Sequence, residues 1–288
     1  MAIDTLEKNA PGVFLPSRAS QRADAVDTIK TREAYGALIL QAPPGKPEVL
    51  KATAASPAVA QALTGISAQM QAQLQAQAAA TGAPSTMATV TVTDVVPLAK
   101  EDSTGAGLAA SAFPLAIGGT VGGVLVLLLV TGAARRITAL MGFSTSSGIL
   151  LAGILHPWFG YLSGNYGLNA LAISAALFAM SSFIVGGGAL FGRAGMAATA
   201  AFTVLFANPI ASAAAPWEFL PTPWGTIGQY LVPGAANRLL RSLSYFPEAA
   251  THAQWVTLLV WAAAGTTLVL WGSTRTIDND EVGAAAEH

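Results

Sequence analysis

The sequence contains no cysteine, only three histidines and few charged residues, which make up 10% of the 288 residues. The lack of cysteine excludes disulfides, thiolate metal sites and a cysteine nucleophile. The histidines, His156, His252 and His288, are too scattered for a metal cluster or an evident catalytic triad. No Gly-x-x-x-x-Gly-Lys-Ser/Thr phosphate loop is present either. We therefore expect no enzyme activity, no metal and no cofactor.

Net charge and hydropathy indicate a membrane protein. A formal charge of -1 and a pI near 6.3 argue against the basic surface that nucleic acid requires, so no nucleic-acid partner is expected. A hydrophobic content of 53% and a mean hydropathy of +0.53 do not describe a soluble globular protein. Membrane lipids are thus the first expected partner.

Charge is distributed unevenly along the chain. Residues 1–110 carry 8 of the 14 basic and 9 of the 15 acidic groups. The remainder has two long stretches without Asp, Glu, Lys or Arg, at 103–134 and 137–192. The pattern predicts a polar domain at 1–110, a transmembrane domain at 111–274 and a tail at 275–288.

Five membrane spans are expected, since about 20 apolar residues cross the hydrocarbon core. The first gap holds one span and the second holds two, divided by the turn-rich run 163–167. A fourth, Ala-rich span should kink or stop at Asn208-Pro209, because proline lacks an amide donor. The expected spans are 112–133, 144–162, 168–190, 194–213 and 254–272.

Arginine placement predicts the orientation. If the first span runs from outside to inside, four arginines lie in the cytoplasm, namely Arg135, Arg136, Arg193 and Arg275. Only Arg238 and Arg241 then remain in an outer loop. This places the N-terminal domain outside the cell membrane. Because residues 1–21 contain no apolar run that would translocate it, we expect a further span upstream, which makes six.

The polar half predicts a small α/β domain of order β-α-β-β-α-β. It comprises an opening strand at 12–15, a helix at 22–34 facing inward through Ala25 and Ile29, a hairpin at 35–53 turning at 43–45, a helix from Ser56 to about Gly82, and a strand at 88–96. The Gln-rich second helix has an apolar stripe, which favours an ordered helix over low complexity.

Two features inside the apolar half have competing interpretations. The overlapping pairs Gly118/Gly122 and Gly119/Gly123 favour helix packing within the bundle over a dimer interface. His156 is the one histidine in the second charge-free gap, and ionisable side chains are costly at membrane depth. It either has a function or simply lies at the membrane interface.

The outer segment at 214–253 is too broken for a span and too apolar for a free loop. It mixes prolines and aromatics and then forms a short amphipathic helix at 235–246. We expect it in the outer headgroup layer, with Arg238 and Arg241 on one face serving function rather than folding; a re-entrant element is the alternative. The candidate lipid-contact, substrate-contact or gating residues are Arg238, Arg241, Trp224, Pro221, Pro233, Gly234, His156 and Pro209.

Two stretches resemble a known family. Residues 32–40 with 49–57 resemble the extracytoplasmic domain of actinobacterial relatives of the phage infection protein family, which are related to permeases of type 2 ABC exporters. Residues 219–235 with 240–246 are similar to the outer loop before that family's last span. The resemblance implies one span, a large outer domain and five further spans. It carries over no catalytic residue.

The expected function is therefore a permease-like subunit that moves a lipid-like or amphipathic molecule outward, as a dimer and with a separate ATPase where transport is active. The alternative is a non-transporting envelope protein whose outer domain binds a partner, such as a cell-wall component, a phage or secretion machinery. The short cytoplasmic loops expected at 134–143 and 191–195 weaken the case for transport, because they leave little room for a long coupling helix.

Overall fold

A computed structural model describes residues 18–40, 46–82 and 89–286, without the side chains of 273 and 275–286. The expected opening strand at 12–15 and the turn at 43–45 lie outside these ranges. Within them the chain is mostly helical, with one three-stranded sheet.

The sheet belongs to a small α/β unit at the N-terminal side. Its elements are α1 (Arg22–Lys30), β1 (Gly36–Ile39), β2 (Glu48–Lys51), α2 (Pro57–Thr81) and β3 (Thr91–Asp94). β2 is central, antiparallel to β1 and parallel to β3. The expected inward face of α1 is confirmed, because Ala25 and Ile29 are buried beside Leu50 of β2.

Local signals set the ends of α2. The Ser56 side chain accepts a hydrogen bond from the Val59 amide at 3.3 Å, and Pro57 occupies the first turn, where its missing amide costs nothing. Gly82 ends the helix in the left-handed conformation. The ordered-helix interpretation of this Gln-rich stretch is confirmed, although most of its second half is solvent-exposed.

Four of the helices that the structure describes are long and apolar enough to cross a membrane. They are α3 (Ala106–Leu129), α4 (Ala133–Gly153), α5 (Tyr166–Ala201) and the first part of α8 (His252–Ala286). A π-helical turn extends α4 over Ile154–Trp158. Another extends α5 over Phe202–Ala207, before a last turn at Asn208–Ile210.

The loop expected before the second span is wrong. The helix begins at Ala133, so the short loop expected at 134–143 is helical. Arg136 explains the tight connection, because its guanidinium donates to the Val130 and Leu127 carbonyl oxygens at 2.8 and 3.3 Å. These carbonyls belong to the end of α3, where cations are favoured.

The 45-residue candidate Tyr166–Ile210 is a helical hairpin. Gly192 has φ 61° and ψ -146°, which breaks the helix. The Phe183 and Phe202 ring centroids are 6.1 Å apart, whereas in a continuous helix the two residues would be about 28 Å apart along the axis. Its first leg, residues 166–191, and second leg, residues 193–210, therefore lie side by side.

Gly192→Ala is expected to destabilise the protein by about 1–3 kcal/mol, because its backbone conformation is nearly exclusive to glycine. A Cβ there would meet no atom within 4 Å, so backbone strain alone would carry the effect. Thermal unfolding in detergent measures it.

Gly142→Ala in α4 is the matched control, since that glycine is helical and also has no atom within 4 Å of a built Cβ. It should be neutral or stabilising by up to about 1 kcal/mol. Equal melting temperatures for the two variants would show that the turn at Gly192 is unstrained.

Glycines on the surrounding elements let them approach the first leg of α5 closely. A Cβ on Gly119 would meet Met180, one on Gly148 would overlap Ser174, and one on Gly265 would lie 2.6 Å from the Phe183 amide. Gly123 likewise faces Ser181 and Ile184. The bundle-packing interpretation of the α3 glycines is therefore confirmed, as expected for helices that associate through small residues.

The outer segment forms three short helical pieces between α5 and α8. They are a 3-10 turn at Trp217–Phe219, α6 (Trp224–Gln229) and α7 (Val232–Tyr245). The expected amphipathic helix is thus present, and it begins three residues earlier than predicted.

Candidate functional site

Helix α7 lies between the membrane helices and the α/β unit. One side joins the bundle core through Ala235, Ala236, Leu239 and Leu240. Phe246, directly after the helix, is 1% exposed and belongs to the core of the α/β unit. The expected position in the lipid headgroup layer is therefore corrected: protein covers both sides of this helix.

A cavity of about 60 Å³ lies where these parts meet. Its walls come from the loop after α1, the start of α2, the segment that follows the hairpin, and α7. The side chains that give it chemical character are Arg32, Tyr35, Glu218, Asn237, Arg238 and Arg241. The expected pair of arginines is thus a cluster of three.

Arg32 reaches the cavity from a backbone position normally reserved for glycine. The Glu33 amide donates to the Thr28 carbonyl, and the Arg32 amide donates to the Ile29 carbonyl. Together these two hydrogen bonds form the Schellman motif that ends α1. Arg32 has φ 64°, a left-handed conformation that costs a non-glycine residue about 1–2 kcal/mol. Its Nη1 donates to the Arg238 carbonyl at 3.0 Å and to Ser242 Oγ at 2.7 Å.

Arg241 joins two parts of the chain that are distant in sequence. Its Nη1 donates to the Ala54 carbonyl at 2.9 Å, and its Nη2 donates to the Ala213 carbonyl at 3.3 Å. The residue is only 8% exposed, so its side chain belongs to a buried contact between these parts of the chain. Removing this side chain would leave those carbonyls without their donor, which destabilises a buried contact.

Arg238 and Asn237 also line the cavity. Arg238 Nε is 3.3 Å from the Gln254 side-chain oxygen when that amide is oriented to donate to Thr251. Within the described ranges, no acceptor contacts either terminal nitrogen of Arg238. The side-chain nitrogen of Asn237 is buried and has no hydrogen-bond partner among the described residues.

Among the described lining residues Glu218 is the single carboxylate, so three arginines and one glutamate give this part of the lining a formal charge of +2. It accepts a hydrogen bond from the Tyr35 hydroxyl at 2.8 Å rather than pairing directly with a guanidinium. Burial, followed by repulsion from Arg241 and Arg238, lowers the pKa of Arg32 to about 9. Burial raises the pKa of Tyr35 and lowers that of Arg241.

Backbone strain is concentrated at this cavity. The two non-glycine residues with positive φ in the described chain are Arg32 and Ser212, and both line it. Ser212 Oγ donates to the Ala215 carbonyl at 2.9 Å, which holds the segment after the hairpin in a tight turn. Strained conformations of this kind cluster at binding and catalytic sites.

Of the other candidates predicted from the sequence, one lines the arginine-lined cavity and the rest lie elsewhere. Gly234 lines the same cavity, whereas Pro233 lines a separate cavity of about 10 Å³ beside Phe202 and Trp261. Trp224 packs against the Phe206 ring, with centroids 5.8 Å apart. Pro221 and Pro209 are exposed, and the second leg of α5 ends one residue after Pro209, close to the expected stop.

His156 lies apart from the arginines, in the π-helical turn that ends α4. Its Nδ1 is 3.3 Å from Nδ2 of the fully buried Asn169, which also donates to the Ser163 carbonyl at 2.8 Å. The ring also contacts Tyr166 edge-on. Asn169 thus connects the histidine to the turn at 163–165, a polar link between the ends of α4 and α5.

Sequence reasoning missed Arg32, Tyr35, Glu218 and Asn237 as cavity residues. No local signal was available for Arg32, because the helix expected at 22–34 ends at Lys30 in the structure and leaves Arg32 outside it. No group of three or more His, Cys, Asp or Glu residues in the described part of the chain could hold a metal ion. No family model, curated protein or solved structure matches the chain.

Proposed function

We propose that this membrane protein is a permease-like subunit that moves a lipid-like or amphipathic molecule outward, with a separate ATPase as energy source and a homodimer as assembly. The observation that carries the proposal is the arginine-lined cavity between α7, at the end of the membrane bundle, and the α/β unit. A transported amphiphile needs such a polar site for its headgroup beside an apolar path for its tail. The family resemblance of residues 219–235 supports the same function.

The proposed membrane topology has five crossings, because the hairpin Tyr166–Ile210 contributes two. Its second leg has 18 residues, which corresponds to about 27 Å and matches the hydrocarbon thickness. With the α/β unit outside, Arg135, Arg136 and Arg193 lie at the cytoplasmic ends of their helices, as the positive-inside rule requires. The arginine-lined cavity then faces the outside.

Orientation is tested with single cysteines, which the cysteine-free chain accepts without background. Gln73 on α2 and Ala134 at the start of α4 are both exposed. An impermeant thiol reagent should label Gln73→Cys on intact cells, and it should label Ala134→Cys only after the cells are broken. The reverse labelling pattern would show that the α/β unit is cytoplasmic.

Transport is tested in vesicles that contain the purified protein and a fluorescent phospholipid. Native purification adds the second readout, whether an ATPase copurifies. ATP-dependent movement of the phospholipid between leaflets supports the proposal. No movement with the copurified ATPase present would refute it.

One observation favours the second candidate, an envelope protein that binds a partner without transport. The cavity between the hairpin, α7 and α8 measures only about 10 Å³, room for at most one water. The bundle is therefore closed at this point. Binding of a cell-wall component, a phage or secretion machinery to the α/β unit, together with no lipid movement, would identify this function.

A further inference from the structure

We infer that the arginine-lined cavity binds one compact oxyanion of the phosphate class, held jointly by Arg32, Arg238 and Asn237. The occupant is either the headgroup of an anionic lipid or a free phosphate, since both present the same oxygens. If the occupant is a headgroup, the claim that it belongs to a transported molecule rests on the proposed function. Anion binding itself does not.

The free donors are the first argument. Arg32 uses Nη1 for its two protein acceptors, and within the described ranges its Nη2 contacts no acceptor. The side-chain nitrogen of Asn237 is buried and has no acceptor in the described chain. Arg238 lines the same cavity and is only partly buried, so its terminal nitrogens remain open to a ligand. A buried donor without a partner is costly, and a phosphate offers the oxygens that would satisfy several donors at once.

The size of the cavity is the second argument. A volume of about 60 Å³ corresponds to roughly four to six waters on the same measure. That space fits a tetrahedral oxyanion with its close hydration, and it is too small for a whole sugar or nucleotide. The cavity would therefore take a headgroup phosphate while the rest of the molecule remained outside.

Charge and strain are the third argument. The described lining contains three guanidinium groups and one carboxylate, and this carboxylate already accepts a hydrogen bond from the Tyr35 hydroxyl. Burial lowers the pKa of Arg32 to about 9, so the folded protein disfavours its charged form, and this penalty is fully present at neutral pH. A bound anion would remove the penalty. It would also explain why an arginine rather than a glycine occupies the strained end of α1.

The test uses the full chain in bilayer discs of zwitterionic lipid. Inorganic phosphate is titrated at constant ionic strength against chloride, and both binding and the unfolding temperature are followed. A second series replaces a few per cent of the lipid with phosphatidic acid, without free phosphate. Saturable binding with a rising unfolding temperature is expected in at least one series.

Two variants separate anion binding from folding. Arg238→Gln should weaken the binding about tenfold or more, because a hydrogen bond between charged groups is lost. Lys30→Gln is the matched control: it removes a nearby exposed cation that pairs with Glu248 at 3.3 Å, and it should leave the affinity unchanged. Asn237→Leu should weaken binding while leaving the anion-free protein as stable as before or more stable, since it removes an unsatisfied buried donor.

The outcomes are distinct. Saturation by phosphatidic acid alone identifies a lipid headgroup as the occupant, and saturation by free phosphate alone identifies a soluble anion. Either result supports the inference. No saturable binding in either series overturns it, and so does equal weakening by Arg238→Gln and Lys30→Gln. Binding without lipid transport would refute the proposed permease and leave the anion site intact.

Discussion

Gly195→Ala is expected to separate the two legs of the α5 hairpin and to destabilise the protein by about 3 kcal/mol or more. A Cβ at this position would overlap the Gly187 carbonyl oxygen of the first leg. Backbone cannot move aside as a flexible side chain can. The gain in helix propensity from alanine, about 1 kcal/mol, does not offset this overlap.

Spin labels on cysteines at Leu171 and Leu205 measure the hairpin directly. Both side chains are exposed, one on each leg. The hairpin places these positions about 15 Å apart, against about 51 Å in a continuous helix. Gly195→Ala should increase the mean distance between the labels and broaden its distribution, whereas Gly142→Ala should leave both unchanged. An unchanged short distance and an unchanged melting temperature would show that the legs do not depend on this contact.

The sequence predicted most of the elements because their signals are local. Apolar length located the helices that are long enough to cross a membrane, and Ser56, Pro57 and Gly82 marked the ends of α2. The turn-rich run near Ser163 correctly divided α4 from α5. The start of α4 was misplaced because Arg135 and Arg136 were interpreted as loop charges, although arginine is compatible with the first turn of a helix when it can reach carbonyls of the preceding one.

The environment of α7 could not be predicted, because amphipathicity does not identify what covers the polar face. A headgroup layer and a second protein domain both favour arginine there. The contacts that decide between them join residues far apart in the chain: Arg241 with Ala54, and Arg32 with Ser242. The left-handed conformation of Arg32 is equally invisible to periodicity, since it depends on those distant acceptors.

Helix α7 also connects the arginine-lined cavity to the hairpin. Ala211 to Pro216, which directly follow the second leg, form one wall of the cavity. Leu231 to Pro233, at the start of α7, line the small cavity together with Phe202 and Thr203 from the π-helical turn of that leg. Such turns are frequent at functional sites. The segment between the second leg and α7 therefore joins a wall of the arginine-lined cavity to the hairpin.

Phe246→Ala is expected to have the other large effect, a loss of about 3–5 kcal/mol. Its ring is 1% exposed within the core of the α/β unit, although it follows α7 in the chain. The Arg32 guanidinium also lies over this ring, 5.2 Å from its centroid. Truncation therefore removes both the apolar anchor of the α/β unit and a support for one cavity arginine.

The measurement combines limited proteolysis of the α/β unit with phosphate binding by the full chain. Phe219→Ala is the control, because Phe219 lies in the same outer segment and is 56% exposed. We expect that control to change stability by less than about 0.5 kcal/mol and to bind phosphate normally. Phe246→Ala should expose the α/β unit to protease and weaken phosphate binding together, since the cavity exists only while the unit is docked on α7. If proteolysis increases and phosphate binding is unchanged, the anion is held by α7 alone, and Arg32 does not contribute to the site.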